Sequence, residues 1–126
     1  MRATIFLIAV PACIAGSACD NAQPTKPATP IVVRSEAQDQ LHQLSQINLA
    51  IAMRRAINDS GTRCRRVDDA GYVQEHGNLS MWTATCDDGR SWGVFAGPDG
   101  SAQVRPCQDL VALKLPACKI NKRPPA

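Results

Sequence analysis

The amino-acid sequence predicts a small α+β domain in which one long N-terminal helix packs on an antiparallel meander of three to five strands. Three observations predict it: a run without proline or glycine follows Ser35, turn signals divide Leu79 to Cys107 into three short strands, and six cysteines occur in 126 residues. With only two Trp, one Tyr and two Phe, the core is small. Two disulfides are therefore expected to reinforce it.

The N-terminus has the features of a secretory signal peptide. Arg2 supplies positive charge, an apolar run follows from Ala3 to Val10, and small residues from Ala12 to Ala18 lead to a cleavage site. The apolar run is too short to span a bilayer as a permanent helix. We therefore expect residues 1–18 to be removed and the protein to be exported.

The signal ends in Gly16-Ser17-Ala18-Cys19. This sequence resembles the lipobox of bacterial lipoproteins, in which small residues precede a cysteine that is lipidated and becomes the new N-terminus. Gly16 stands where Leu, Val or Ile is usual, and Gly16-x-Ala18 also fits an ordinary cleavage site, which is the alternative. The cysteine count favours lipidation, because loss of Cys13 with the signal and modification of Cys19 leave an even number that can pair.

The resemblance implies a small lipoprotein of a Gram-negative envelope. A lipid such as palmitate on Cys19 holds it in the periplasm, at the cell membrane or the outer membrane. Residues 19–34 then form a tether. Its prolines, at 24, 27 and 30, favour polyproline II structure, which reaches about 45 Å over roughly 15 residues. The alternative for this segment is a proline-rich ligand of a partner.

Ser35 begins the single α+β domain, predicted over residues 35–118. Ser35 and Gln38 form a capping-box pattern, and a glycine stop follows at Asn58–Gly61. The helix between them has two apolar sides, one with Leu44, Ile47 and Ile51 and the other with Leu49, Met53 and Ile57. One side is expected to cover the sheet and the other to meet another element or subunit. His42 is expected at the surface without a role.

The strands are predicted from turn residues and alternation. Thr62–Val67 reads as a first strand, Asp68–Gly71 as a break, and Tyr72–His76 as a second strand. Asp87–Gly89 and Pro98–Gly100 read as three-residue hairpin loops. These loops set Trp82 opposite Val94 and give one core-facing set: Trp82, Ala84, Cys86, Trp92, Val94, Ala96, Ala102 and Val104. A two-residue turn at Asp88-Gly89 would instead place the tryptophans on opposite faces.

Four cysteines in the domain allow three disulfide pairings. We favour Cys64 with Cys86, which ties the first strand to the hairpin, and Cys107 with Cys118, which closes the terminal loop. Residues 119–126 are basic and end in Pro-Pro-Ala, so we expect a flexible tail.

The sequence contains no group of residues whose types and spacing are typical of an enzyme active site. No close cysteine pair suggests redox catalysis, and no His or Cys spacing suggests a metal site. Asp68-Asp69 and Asp87–Gly89 lack the ligand alternation of calcium loops. The serines lack a nucleophile motif. We therefore expect no catalytic activity, no metal and no cofactor.

Five arginines lie close together in the sequence around the end of the helix: Arg54, Arg55, Arg63, Arg65 and Arg66. They form a candidate anion-binding patch, and the alternative is a solvated surface that also interacts favourably with the helix dipole. The net charge of +3 and the lack of interleaved aromatic residues do not indicate nucleic acid.

Two classes of function remain. The tether and the broad apolar surface of the helix favour a non-catalytic binding or scaffolding module in the periplasm, with the membrane as one partner and an envelope protein as another. The alternative is a disulfide-stabilised inhibitor of a hydrolase, because small domains of this kind present rigid loops to enzymes.

Overall fold

The computed structural model describes residues 33–126. The elements are α1 (Glu36–Gln43), α2 (Gln46–Asp59), β1 (Val67–His76), β2 (Leu79–Cys86), β3 (Ser91–Ala96), β4 (Ala102–Pro106) and a short 3₁₀ helix (Cys107–Asp109). The strands form one sheet in the order β1-β2-β3-β4, with antiparallel neighbours. The predicted α+β class and antiparallel meander are confirmed, and the meander, predicted with three to five strands, has four. The predicted signal peptide, Cys19 and all but the last two residues of the tether lie outside the described residues.

The helical segment is not one long helix. Leu44 and Ser45 are extended, with ψ angles of 143° and 164°, and they separate α1 from α2. The Ser45 hydroxyl accepts a hydrogen bond from the Asn48 N–H at 3.4 Å and caps α2, just as Ser35 caps α1. A second serine cap therefore lies inside the run that was predicted to be continuous, and two shorter helices replace it.

The first strand also differs from its prediction. Thr62–Arg66 form no strand, and Asp68–Gly71, predicted as a break, lie within β1. A register shift between Val67 and Asp69 accommodates the extra residue, so that β1 pairs with β2 along its length. Pairing with β2 therefore outweighs the local turn preference of the two aspartates.

The predicted hairpin register is confirmed. Trp82 pairs with Val94, and Ala84 pairs with Trp92. Gly89 and Gly100 both have φ of 81°, the left-handed conformation that these three-residue loops require. Both tryptophans consequently lie on the face that the helices cover.

The sheet has a core on each face. The helix-side core joins the buried side of α2 to the sheet, and its members include Leu49, Met53, Ile57, Trp82, Trp92 and Val94. The second core, which we call the loop-side core, contains Val73, Met81, Phe95 and Leu110. The chain after β4 thus folds back and buries the face that the helices leave free.

The two disulfides are the predicted ones. Cys64 pairs with Cys86, and Cys107 pairs with Cys118, each with 5.8 Å between the Cα atoms. The first links the segment before β1 to the end of β2 within the helix-side core. The second closes the segment that carries Leu110 over the loop-side core. Each bridge is expected to contribute roughly 2 to 4 kcal/mol.

The C-terminal residues, expected to form a flexible tail, lie along the outer edge of β1. The Tyr72 N–H donates to the Lys122 carbonyl at 2.9 Å, and the Asn121 N–H donates to the Tyr72 carbonyl at 2.8 Å. The Gln46 N–H donates to the Pro125 carbonyl at 3.0 Å. Backbone hydrogen bonds hold this segment to the domain. The sequence pattern does not predict them.

Candidate functional site

A groove lies between the two helices and the β3–β4 hairpin, and we call it the helix–hairpin groove. Its volume is about 550 Å³, within the ~300–1,000 Å³ range of ligand sites. Met53, Val94 and Ala96 line it with buried apolar side chains. The remaining lining residues are Ala37, Leu41, Ala52, Arg55, Ala56, Asp59, Ser60, Gly97, Gly100, Ser101 and Ala102.

The charged residues at this groove have opposite signs. Arg55 and Asp59 are four positions apart on α2 and are therefore neighbours on its surface. Ser60 and Ser101 add hydroxyl groups. The groove thus combines an apolar floor with an approximately neutral polar rim, which suits an uncharged or mixed ligand better than a polyanion.

The turn between β3 and β4 forms one end of the groove and is held by its own hydrogen bonds. The Asp99 carboxylate accepts from the Ser101 N–H at 3.0 Å and from the Ser101 hydroxyl at 2.6 Å. These two bonds lower the pKa of Asp99. A Cβ on Gly100 would lie 4.0 Å from that of Ala37, so the turn is in contact distance of α1. The groove is therefore bounded by an ordered turn.

A second apolar surface lies on the other side of α2. Ile47 is 72% exposed and Ile51 is 52% exposed, and both line a shallower depression of about 320 Å³ with Arg54 and Arg66. Of the two apolar sides predicted for the helix, the one with Leu49, Met53 and Ile57 covers the sheet. Ile47 and Ile51 of the other side face outward, whereas Leu44, predicted with them, packs against the helix-side core.

A polar cluster lies beneath α1 and centres on Glu75, whose side chain is only 15% exposed. Its carboxylate accepts from the Tyr72 hydroxyl at 3.0 Å, the Ser80 hydroxyl at 2.8 Å and an Arg34 guanidinium N–H at 3.3 Å. Burial, followed by the Glu75 hydrogen bond, raises the pKa of Tyr72 to about 12. The carboxylate thus accepts hydrogen bonds from β1, from β2 and from Arg34, which precedes α1.

His42 belongs to this cluster and is not the surface residue that the sequence indicated. Its ring packs against Tyr72 and Trp82, with centroids 4.6 Å and 4.8 Å away. Burial, and then the charge of Arg34, lower the pKa of His42. Since Arg34 Nη1 lies 3.3 Å from His42 Nε2 and is always a donor, Nε2 accepts. The contact with Arg34 therefore favours the neutral ring over the protonated one.

Ser80, His42 and Glu75 do not form a catalytic triad. The Ser80 hydroxyl donates to Glu75 and not to His42, and Ser80 is fully buried. The space beside His42 and Tyr72 is about 10 Å³, too small for a substrate. The arrangement fixes α1 on the sheet. Sequence reasoning missed it because its members come from three separate elements.

The structure divides the five predicted arginines among different surfaces. Arg55 lies at the helix–hairpin groove, and Arg54 and Arg66 lie beside Ile47 and Ile51. Arg63 and Arg65 lie together with Arg90, Asp87 and Asp88 around a third depression of about 260 Å³.

Acidic residues accompany several of these arginines. The Arg66 guanidinium is 2.7 Å from Asp68, and that of Arg65 is 3.9 Å from Asp87. The Arg54 guanidinium donates to the Arg65 carbonyl at 3.3 Å. The positive charge is thus divided and partly paired, and anion binding at these arginines stays a prediction.

Two further observations concern residues 33–126. No group of three His, Cys, Asp or Glu side chains in this range is placed to hold a metal ion. None of its helices has both the length and the apolarity needed to cross a membrane.

Comparisons of the chain with protein-family models, with curated proteins and with solved structures find no match. The surfaces of residues 33–126 are therefore the basis for a proposed function. Of these, the helix–hairpin groove is the largest. Sequence reasoning did not find it, because it forms only where α1, α2 and the hairpin meet.

Proposed function

We propose that this protein is a non-catalytic binding module of the cell envelope and that the helix–hairpin groove is its binding site. The groove itself carries the proposal: about 550 Å³ of space with buried Met53, Val94 and Ala96 along it. Among residues 33–126, the charged residues that line it are Arg55 and Asp59, neighbours on one helix. Such a lining favours binding by shape and apolar contact over chemical conversion.

The proposed context is an exported lipoprotein held by a lipid on Cys19, with residues 19–34 as the tether. A tether of about 45 Å lets a small domain reach partners beyond the lipid head groups. Replacing Cys19 by Ser and fractionating the cells tests the anchor. The variant is expected in the soluble envelope fraction, and unchanged membrane association would contradict lipidation.

The binding site is tested by site-specific photo-crosslinking in intact cells. A benzoyl-phenylalanine at Ala102, which lines the groove, is expected to give a discrete crosslinked product. The same residue at Gln74, which is exposed on β1 and does not line the groove, is the matched control. Filling the groove with Ala56→Phe is expected to abolish the product.

Equal products from both positions, or a product from Ala102 that persists in Ala56→Phe, would show that the groove is not the site. Circular dichroism of Ala56→Phe establishes that the variant is folded before its crosslinking is interpreted.

A second candidate, inhibition of a hydrolase, is favoured by one other feature. The disulfide from Cys107 to Cys118 closes a loop in which Val111 is 75% exposed and Leu113 is 50% exposed. A short, cross-linked loop with apolar tips could enter an active-site cleft at low entropic cost. Titrating the protein against a panel of lysozymes and serine proteases tests this function. Inhibition that Leu113→Asp removes supports it, and no inhibition at micromolar protein contradicts it.

A further inference from the structure

The two outer edges of the sheet differ in how their backbone groups are satisfied. Along β1, the N–H and carbonyl of Tyr72 are bonded to the C-terminal segment, and the Ala70 carbonyl accepts from the Gln46 side chain at 3.4 Å. β4 forms the opposite edge. Within residues 33–126, no further strand pairs with it. The C-terminal segment thus pairs with one edge, whereas no residue of the described range 33–126 pairs with the outer edge of β4.

A backbone hydrogen bond in the β3–β4 turn identifies the N–H and C=O groups of β4 that point away from β3. The Gly97 N–H donates to the Ser101 carbonyl at 2.8 Å. Bonded and non-bonded pairs alternate along an antiparallel ladder, so Gln103 is the next residue bonded to β3. The N–H and C=O groups of Ala102 and Val104 therefore point away from the sheet, at the spacing of two residues that an added strand requires.

The free edge adjoins the helix–hairpin groove. Ala102 lines the groove, and Val104 packs against the helix-side core, so both side chains lie on the helix side of the sheet. A strand added beside β4 would direct every second side chain to that same side. We propose that the edge of β4 binds an extended segment of a partner polypeptide, which becomes a fifth strand and places alternate side chains in the groove.

The lining indicates the chemistry of that segment. The walls carry small residues, among them Ala52 and Ala56, which leave room for medium-sized apolar side chains. Pro106 has no N–H and ends the ladder, so pairing extends over about four residues. Backbone bonds hold the segment, and the apolar side chains at alternate positions give specificity.

A second copy of this chain fits less well than a different partner. If two β4 strands paired, the side chains directed into each groove would be the partner's small Ala and Val residues at positions 102 and 104. These fill little of a groove of about 550 Å³. An unrelated segment with Leu, Ile or Met at alternate positions fills it better.

This inference rests on the proposed function, because it uses the same groove, and its test separates the two. The chain from residue 20 onward, which contains the whole of residues 33–126, is used to select binders from a phage-displayed library of random octapeptides. The enriched peptides are expected to alternate apolar and polar residues. On binding, amide exchange at Ala102 and Val104 is expected to slow at least about tenfold, whereas Gln103, already bonded to β3, changes less than about twofold.

Matched variants complete the test. Ala102→Pro removes one outward N–H and is expected to weaken peptide binding roughly fivefold or more, whereas Gln103→Ala, with its side chain on the other face, binds like the wild type. Peptides without alternation, or unchanged exchange at Ala102 and Val104 on binding, would overturn strand addition. If crosslinking in the groove still succeeded, the proposed function would stand without it. Amide exchange at Ala102 and Val104 that slows as the protein concentration rises, with no peptide present, would show pairing of two copies. That result would also overturn the inference.

Discussion

Tyr72 on β1 is joined to Lys122, fifty residues later, by a backbone hydrogen bond of 2.9 Å. Around it, the Asn121 side chain bonds to the Val73 carbonyl, and Arg123 pairs with Asp69. Gly71 makes this approach possible, since a Cβ there would lie 2.4 Å from the Ile120 side chain. The C-terminal segment therefore completes the sheet edge.

Truncation after Ile120 is expected to lower the free energy of unfolding by roughly 1 to 3 kcal/mol, because several backbone hydrogen bonds are lost. Urea unfolding measures the change. Lys122→Ala is the matched control, since it removes a side chain but keeps the backbone bonds, and it is expected to be neutral. Equal stability of the truncated and intact chains would contradict the assignment.

Glu75→Ala is expected to destabilise the fold by roughly 2 to 4 kcal/mol, because it leaves the Tyr72 and Ser80 hydroxyls buried without their acceptor. Gln74→Ala, at an exposed neighbour on the same strand, is the control and is expected to change stability little. Thermal and urea unfolding compare the two. A loss no larger than that of the control would mean that Glu75 does not organise this region.

The chain has a single tyrosine, so its titration can be followed directly. Burial and the Glu75 bond raise the pKa of Tyr72 to about 12, whereas an unfolded tyrosine titrates near 10. Absorbance at 295 nm is expected to show a midpoint well above 10 in the native protein and near 10 in urea. Because the raised value favours the neutral phenol, its contribution to stability is fully present below about pH 10 and is lost as the pH rises from 10 through about 12. Coincident midpoints would contradict the buried cluster.

The burial of His42 predicts a second pH dependence of the free energy of unfolding. Its pKa is lowered by burial and by Arg34, so the unfolded chain binds a proton at higher pH than the native one. Stability from this group is present above about pH 6.5, the unfolded value, and falls as the pH drops below it. His42→Phe, which keeps an aromatic ring against Trp82, is expected to flatten the dependence between pH 8 and 5. His76→Gln retains His42 and serves as the control. Parallel pH curves for the wild type and His42→Phe would refute the prediction.

Leu110 connects the disulfide-closed loop to the sheet. It is fully buried, and its Cδ1 would lie 3.1 Å from a Cβ on Gly93. Leu110→Ala is expected to cost roughly 2 to 5 kcal/mol through a cavity in the loop-side core. Val111→Ala, one residue later and 75% exposed, is expected to change stability by less than about 0.5 kcal/mol. Similar losses in both variants would argue against a core on this face.

Local signals predicted the elements that depend on a few neighbouring residues. The Ser35 cap, the glycines at 89 and 100, and the alternation around Trp82 are such signals, and they led to the correct hairpin register. Both favoured disulfides are also present, although the predicted strand that was to carry Cys64 is not formed. The Ser45 cap was also present in the sequence. It was missed because the absence of proline and glycine favoured one continuous helix.

The sequence by itself determined the α+β class, the register of the two later hairpins and the face that carries the tryptophans, since caps and tight turns act over only a few residues. Tertiary structure decided the start of β1, the position of the C-terminal segment and the inward packing of His42. It also decided which sheet edge, beside the helix–hairpin groove, is left without a partner strand among residues 33–126. Each of these depends on contacts between residues far apart in the chain, whose free energies exceed the local preferences of the residues involved.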